Sequence, residues 1–131
     1  MKIENKYIYR LSNYSTMSYK GTIADWSFDI INCNKAIIGD IYQCFGYRDG
    51  KTISTSPIRS VSIESVRAKD DKFVVVTTAN DSKYILLQPN SIFTNFINNC
   101  FEDDEKNSKG KEFTFETLDG IKNIIEWYLN K

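Results

Sequence analysis

Between Tyr47 and Gln88, apolar and polar residues alternate in short runs separated by turn-formers, and the rest of the chain is patterned to cover what this stretch builds. Asp49-Gly50 is a hairpin dipeptide, because Gly and a few short polar residues accept the positive φ angles of a tight turn. Lys51 to Thr55 follows as a short strand. Ser56-Pro57 is expected to break the ladder, since Pro57 has no N–H to donate. Val61 and Ile63, with Val66 beyond them, alternate with Ser60, Ser62 and Glu64, the period-two pattern of a half-buried strand. The Lys69-Asp70-Asp71 turn leads into a strand from Phe73 to Thr78. Ala79-Asn80-Asp81 then turns the chain into another, Lys83 to Leu87.

Ahead of this stretch, Tyr7, Ile8, Tyr9 and Leu11 are dense in β-formers and predict a first strand. Asn13 to Lys20 reads as a loop or weak edge strand. Thr22 to Ile31 predicts a strand in which Ile23 and Trp26 differ in parity, so a β-bulge is expected near Trp26. After an Asn32–Lys35 turn, Ala36–Ile38 and Ile41–Tyr47 supply a strand, or a bent pair hinged at Gly39-Asp40. The pattern changes at Pro89. Asn90 or Ser91 can cap a helix by accepting a free backbone N–H, and Ile92, Phe93, Phe96, Ile97, Cys100 and Phe101 form its apolar stripe. Glu102 to Lys111 is charged. Thr114 can cap a second helix to about Leu129, with Leu118, Ile121, Ile124, Ile125, Tyr128 and Leu129 on one side. The expected fold is α+β: an N-terminal antiparallel β-sheet of six to seven strands followed by two C-terminal α-helices. Connections this short favour antiparallel pairing, and both helix faces must find cover.

Composition narrows the chemistry. The 131 residues suit a single domain over 1–131, with the sheet in 1–88 and the helices in 89–131. Lys plus Arg and Asp plus Glu number 17 each, so there is no basic excess for duplex nucleic acid or a membrane surface. No apolar run is long enough to span a bilayer, and the N-terminus lacks a secretory apolar region. Cys33, Cys44 and Cys100 form no CxxC pair and suit reduced thiols in a cytosol. There is no histidine, which removes Ser-His and Cys-His pairs and imidazole metal sites. No cofactor fingerprint is present; the glycines form neither a P-loop nor a dinucleotide motif. Glu102-Asp103-Asp104-Glu105 lacks the ligand spacing of a calcium loop and reads as solvated.

Three polar clusters remain. Thr55-Ser56-Pro57-Ile58-Arg59 with Arg48 offers hydroxyls and guanidiniums around one turn, suited to an anion; the plainer account is a hydroxyl-stabilised turn with Arg59 in solvent. Thr78 and Tyr84 flank a hairpin tip that could line a nucleotide pocket, or Tyr84 belongs to the core. Asn90, Ser91 and Asn95 stand at a helix start, where free N–H groups attract anions, although capping accounts for Asn90 or Ser91 equally well.

Asp49, Gly50, Ile53, Thr55, Ser56 and Ile58, followed by Thr78, Tyr84 and Leu86 and then by two helices, form a combination that resembles the first type of Thoeris anti-defence protein, a phage-encoded sponge. The resemblance implies a non-enzymatic protein that sequesters cyclic ADP-ribose-type signals, with some relatives also holding cyclic oligonucleotides. It also implies a homo-oligomer, a dimer or dimer-based hexamer, in the cytosol of a bacterial host. By matching position, Thr55, Ser56, Arg59, Tyr84 and Asn95 would take the phosphate and base roles. No Arg follows Arg67, so any basic group near the second helix would be Lys106, Lys109, Lys111 or Lys122. A protein-binding inhibitor, such as an immunity protein, is the alternative expectation. An enzyme built on Asp49 or Asp81 is a third.

Overall fold

The computed structural model describes residues 19–29, 34–42, 51–66, 71–100 and 112–130. Five strands run in chain order: β1 (Gly21–Asp29), β2 (Asn34–Tyr42), β3 (Lys51–Ser65), β4 (Lys72–Thr78) and β5 (Lys83–Leu86). Two helices follow, α1 (Ser91–Cys100) and α2 (Leu118–Leu129). The α+β class and its order are as expected, with five strands among the described residues rather than six or seven. The expected strand at Tyr7–Leu11, the Asp49-Gly50 hairpin dipeptide and Arg48 lie outside the described residues.

The sheet is not open. It closes into a barrel in the order β1-β2-β3-β4-β5. Four interfaces are antiparallel, and the closure of β1 against β5 is parallel. The parity of the meander requires this: with five alternating strands, the first and last point the same way.

Two irregularities allow the curvature. The expected bulge in β1 is present: Ala24 pairs with Asp40 and Ser27 with Ile38, and between them Asp25 adopts φ 51°. The α-carbon of Gly39 faces the bulge. A β-carbon there would stand 2.8 Å from the Ala24 carbonyl oxygen and 3.0 Å from the Trp26 α-carbon, so only glycine fits. The second irregularity corrects the sequence reading. β3 runs unbroken through Ser56-Pro57, because the chain changes partners there. Ala36 of β2 pairs with Pro57, while Ile58 onward pairs with β4. Proline is tolerated at this handover, and its carbonyl accepts the Ala79 N–H at 2.8 Å.

Alternation then places the core. Val61 and Ile63 lie opposite Val76 and Val74, with Ser60, Ser62 and Glu64 in the opposite phase. One apolar cluster fills the barrel and continues into both helices through Ile23, Trp26, Phe28, Ile37, Phe93, Ile97, Ile124, Ile125 and Tyr128. α1 lies on β1, and α2 covers β3 and β4. Phe93 is where they meet: its ring centroid is 5.6 Å from Trp26, 6.0 Å from Phe28 and 6.4 Å from Tyr128. The cap of α2 is Thr117, not Thr114; its hydroxyl accepts the Gly120 N–H at 2.9 Å. Gly120 packs against the Thr114 carbonyl so closely that no β-carbon would fit, so the chain at Thr114 is a neighbour of the first turn and not part of it. Lys35 donates to the Leu129 carbonyl at 2.6 Å, placing a cation at the negative end of α2.

Candidate functional site

The bend of β3 and the β4–β5 turn meet at one corner of the barrel, joined by the Pro57–Ala79 bond and the Ile58–Thr78 pair. Four of the expected site residues are here. Thr55 is buried, and both capacities of its hydroxyl are used internally: it accepts the Ile37 N–H at 3.0 Å and donates to the Ser56 carbonyl at 2.8 Å. Thr78 is also buried. Its hydroxyl bonds the Asn80 side chain and accepts the Ser82 N–H at 3.1 Å, which shapes the turn in which Asp81 adopts φ 66°. Ser56 and Arg59 are exposed. The Arg59 guanidinium pairs with the Asp81 carboxylate, and the two side chains are 54% and 74% exposed.

That exposure determines what the corner can do. A pair between solvated charges contributes about 0–1 kcal/mol, so Arg59 can exchange Asp81 for another anion at little cost. Asp81 nevertheless stays nearby. A unit charge at about 5 Å in water repels an incoming one by roughly 0.8 kcal/mol. The corner therefore offers one exchangeable guanidinium, one hydroxyl and a polar turn, with no second described cation in contact.

Tyr84 does not face this surface. It pairs with Val76 and Gly21 and packs half-buried against the barrel core, and burial raises the pKa of its hydroxyl. The ring is a core element, as the plainer account of the sequence had it.

The third cluster belongs to β1 and α1. Asn90 caps α1, its side-chain oxygen accepting the Ile92 and Phe93 N–H groups at 2.8 and 3.2 Å. Its backbone N–H donates to the Trp26 carbonyl at 2.7 Å, and its side-chain amide donates to the Asp25 carboxylate at 3.3 Å. The helix start is thus already capped and has a carboxylate beside it, which disfavours an additional anion. Ser91 and Asn95 are exposed on α1. The structure thus brings Ser56, Arg59, Thr55 and Thr78 together, while Asn90, Ser91 and Asn95 stand on another element.

Sequence reasoning missed one constellation, on the outer face of β3 and β5. The Glu64 carboxylate accepts from the Tyr19 hydroxyl at 2.8 Å, the Ser62 hydroxyl at 2.7 Å and the Lys83 ammonium at 3.1 Å. Partial burial pushes this carboxyl up, but the hydrogen bonds from Ser62, Tyr19 and Lys83 and the Lys83 charge outweigh it and hold it below the ordinary value. The alternation put Glu64 outside beside Ser62, but two of its three partners, Tyr19 and Lys83, are 45 and 19 residues away in the chain. Among the described residues no group of acidic, Cys or His side chains could hold a metal ion, and no helix is long and apolar enough to cross a membrane.

No protein-family model, no curated protein and no solved structure matches this chain.

Proposed function

We propose that this chain is a binding protein that captures a cyclic nucleotide of the ADP-ribose type and releases it unchanged, acting as a homo-oligomer in a bacterial cytosol. The observation that carries the reading is the corner itself: Ser56 and Arg59 are exposed on the β3 bend, beside a polar turn whose Asp81 is an exchangeable partner for the guanidinium. Arg59 would grip a phosphate through its planar fork, with Ser56 donating alongside. The ligand class and the dimer or dimer-based hexamer come from the resemblance to Thoeris anti-defence proteins. Thr55 and Thr78 shape the site from beneath, their hydroxyls committed to the barrel and the turn.

A melting-temperature screen against cyclic ADP-ribose isomers and cyclic di- and trinucleotides tests the reading. Capture predicts a rise that grows with ligand excess by mass action, its loss in Arg59→Ala, and intact ligand after heat release. No rise with any of these ligands would overturn it.

One observation favours a second reading, an inhibitor of a protein target. α1 contains no charged residue and exposes Ile92 (71%) and Phe96 (37%) one turn apart. Apolar side chains in a charge-free setting suit a protein interface. Ligand-independent loss of binding to such a target in Phe96→Asp would support that reading.

A further inference from the structure

The barrel closes along its weakest seam. The β1–β5 ladder has three residue pairs, Gly21–Tyr84, Thr22–Ile85 and Ile23–Leu86, fewer than any other interface. It is also the one parallel ladder, and parallel pairing is slightly less stable per residue.

Each end of the seam is fastened differently. At the far end the Leu87 N–H donates to the Ile23 carbonyl at 2.9 Å, and the fully buried Trp26 indole donates to the Leu87 carbonyl at 3.0 Å. Asp25 stands at this end and accepts from the Asn90 side-chain amide. At the near end the Lys20 N–H donates to the Lys83 carbonyl at 2.8 Å. The flanking side chains, Tyr19 and Lys83, both converge on Glu64 of β3.

We infer that Tyr19, Ser62, Glu64 and Lys83 form an acid-sensitive clasp on the barrel closure: protonation of Glu64 releases the Lys20–Lys83 end of the seam while the Trp26 end stays shut. An ionised carboxylate accepts through both oxygens, and here those oxygens serve three donors. Once protonated it must itself donate, and it loses the Lys83 ion pair. The groups facing it are Lys83 from β5, Tyr19 from the stretch entering β1 and Ser62 from its own strand. From β4, Phe73 stands directly opposite, and Lys72 faces the neighbouring Ser65. The folded carboxyl lies below the ordinary Glu range, so the clasp opens only in acid.

Opening has a structural consequence. Val75 and Ile85 are fully buried in a small cluster outside the main core, packed against Tyr19, Val66, Phe73 and Leu87. Release of Tyr19 uncovers this pair next to a freed strand edge, the kind of surface that invites pairing with another chain.

Hydrogen exchange followed by NMR on the full chain tests the clasp, with rates corrected for intrinsic pH dependence. Protection of the Lys20 amide should fall relative to that of Leu87 as pH drops from 7 through the folded value of the Glu64 carboxyl, by a factor set by how far the clasp holds that carboxyl below its ordinary value. Glu64→Gln should show the lowered Lys20 protection already at pH 7. Tyr19→Phe, which removes only one hydroxyl, should lower it at pH 7 while tryptophan fluorescence stays native. If Lys20 and Leu87 lose protection together, or if Tyr19→Phe leaves the Lys20 amide unchanged, the inference is overturned.

Discussion

The hydroxyl of Thr55 accepts the backbone N–H of Ile37 at 3.0 Å, across the bulge where β2 and β3 lose register. Ala36 pairs with Pro57 and Ile38 with Ser54, so the ladder skips Ile37, and a side chain takes the place of the missing carbonyl. Ile37 is fully buried, so its N–H has no recourse to water. A residue that reads as a phosphate ligand is, in the folded chain, a substitute for backbone.

Thr55→Val keeps the shape and removes the acceptor. It should destabilise the fold by about 1–3 kcal/mol, the penalty of an unsatisfied buried donor, whereas Thr55→Ser should retain most of the stability. Urea unfolding of the two variants checks this. Equal stability of Thr55→Val and wild type would sink the assignment.

Arg59 and Asp81 should behave in the opposite way, affecting binding and leaving stability nearly alone. Arg59→Ala is expected to change unfolding free energy by less than about 1 kcal/mol while abolishing capture of an ADP-ribose-type ligand. Asp81→Asn should strengthen capture several-fold, because it removes a repelling charge of roughly 0.8 kcal/mol. Asparagine tolerates the positive φ at this position, so the turn survives the change. Calorimetric titration of both variants against cyclic ADP-ribose decides the matter; tighter binding by Arg59→Ala would contradict it.

Gly39→Ala should be costly despite its single added carbon. The new β-carbon would meet a carbonyl oxygen and a backbone α-carbon of β1, neither of which is the loose end of a side chain. Overpacking of this kind costs about 1–3 kcal/mol, and the melting temperature should fall accordingly. An unchanged melting temperature would show that the β1 bulge yields.

Stability should weaken in acid through Glu64. Its folded carboxyl is held below the ordinary value, so its contribution is complete above the unfolded value of about 4.3 and disappears as pH falls through the lower folded value. The stability difference between wild type and Glu64→Gln should therefore be level from pH 7 to 5 and shrink below about pH 4. Tyr84 acts at the other extreme. Its hydroxyl is raised by burial, so the neutral form stabilises the fold up to the ordinary value of about 10, and that contribution is lost as pH climbs through the folded value. Chemical denaturation across the pH range checks both; a Glu64→Gln difference that grows in acid would reverse the sign.

Much of the architecture could be read along the chain because it depends on local chemistry. The alternation of Val61 and Ile63 with Ser60, Ser62 and Glu64 assigned inside and outside before any partner was known. The parity slip between Ile23 and Trp26 announced the bulge. Asn90 was recognisable as a cap, and the Phe93–Ile97 stripe as a buried helix face. Reading failed where the answer depended on a distant partner. Pro57 reads as a ladder break, and it is harmless only because β3 changes neighbours at that residue. Closure of the barrel needed β5 to reach β1, some 60 residues back, and nothing local to either strand encodes that contact. The same reason governs the candidate site. Residue type says that Thr55 and Tyr84 can bind an anion or stack on a base; the three-dimensional pairing commits them to Ile37 and to the core, leaving Ser56 and Arg59 on the surface. Short-range sterics and periodicity act within a few residues of sequence, whereas hydrogen-bond partners and burial are set by whichever chain segments the fold brings together.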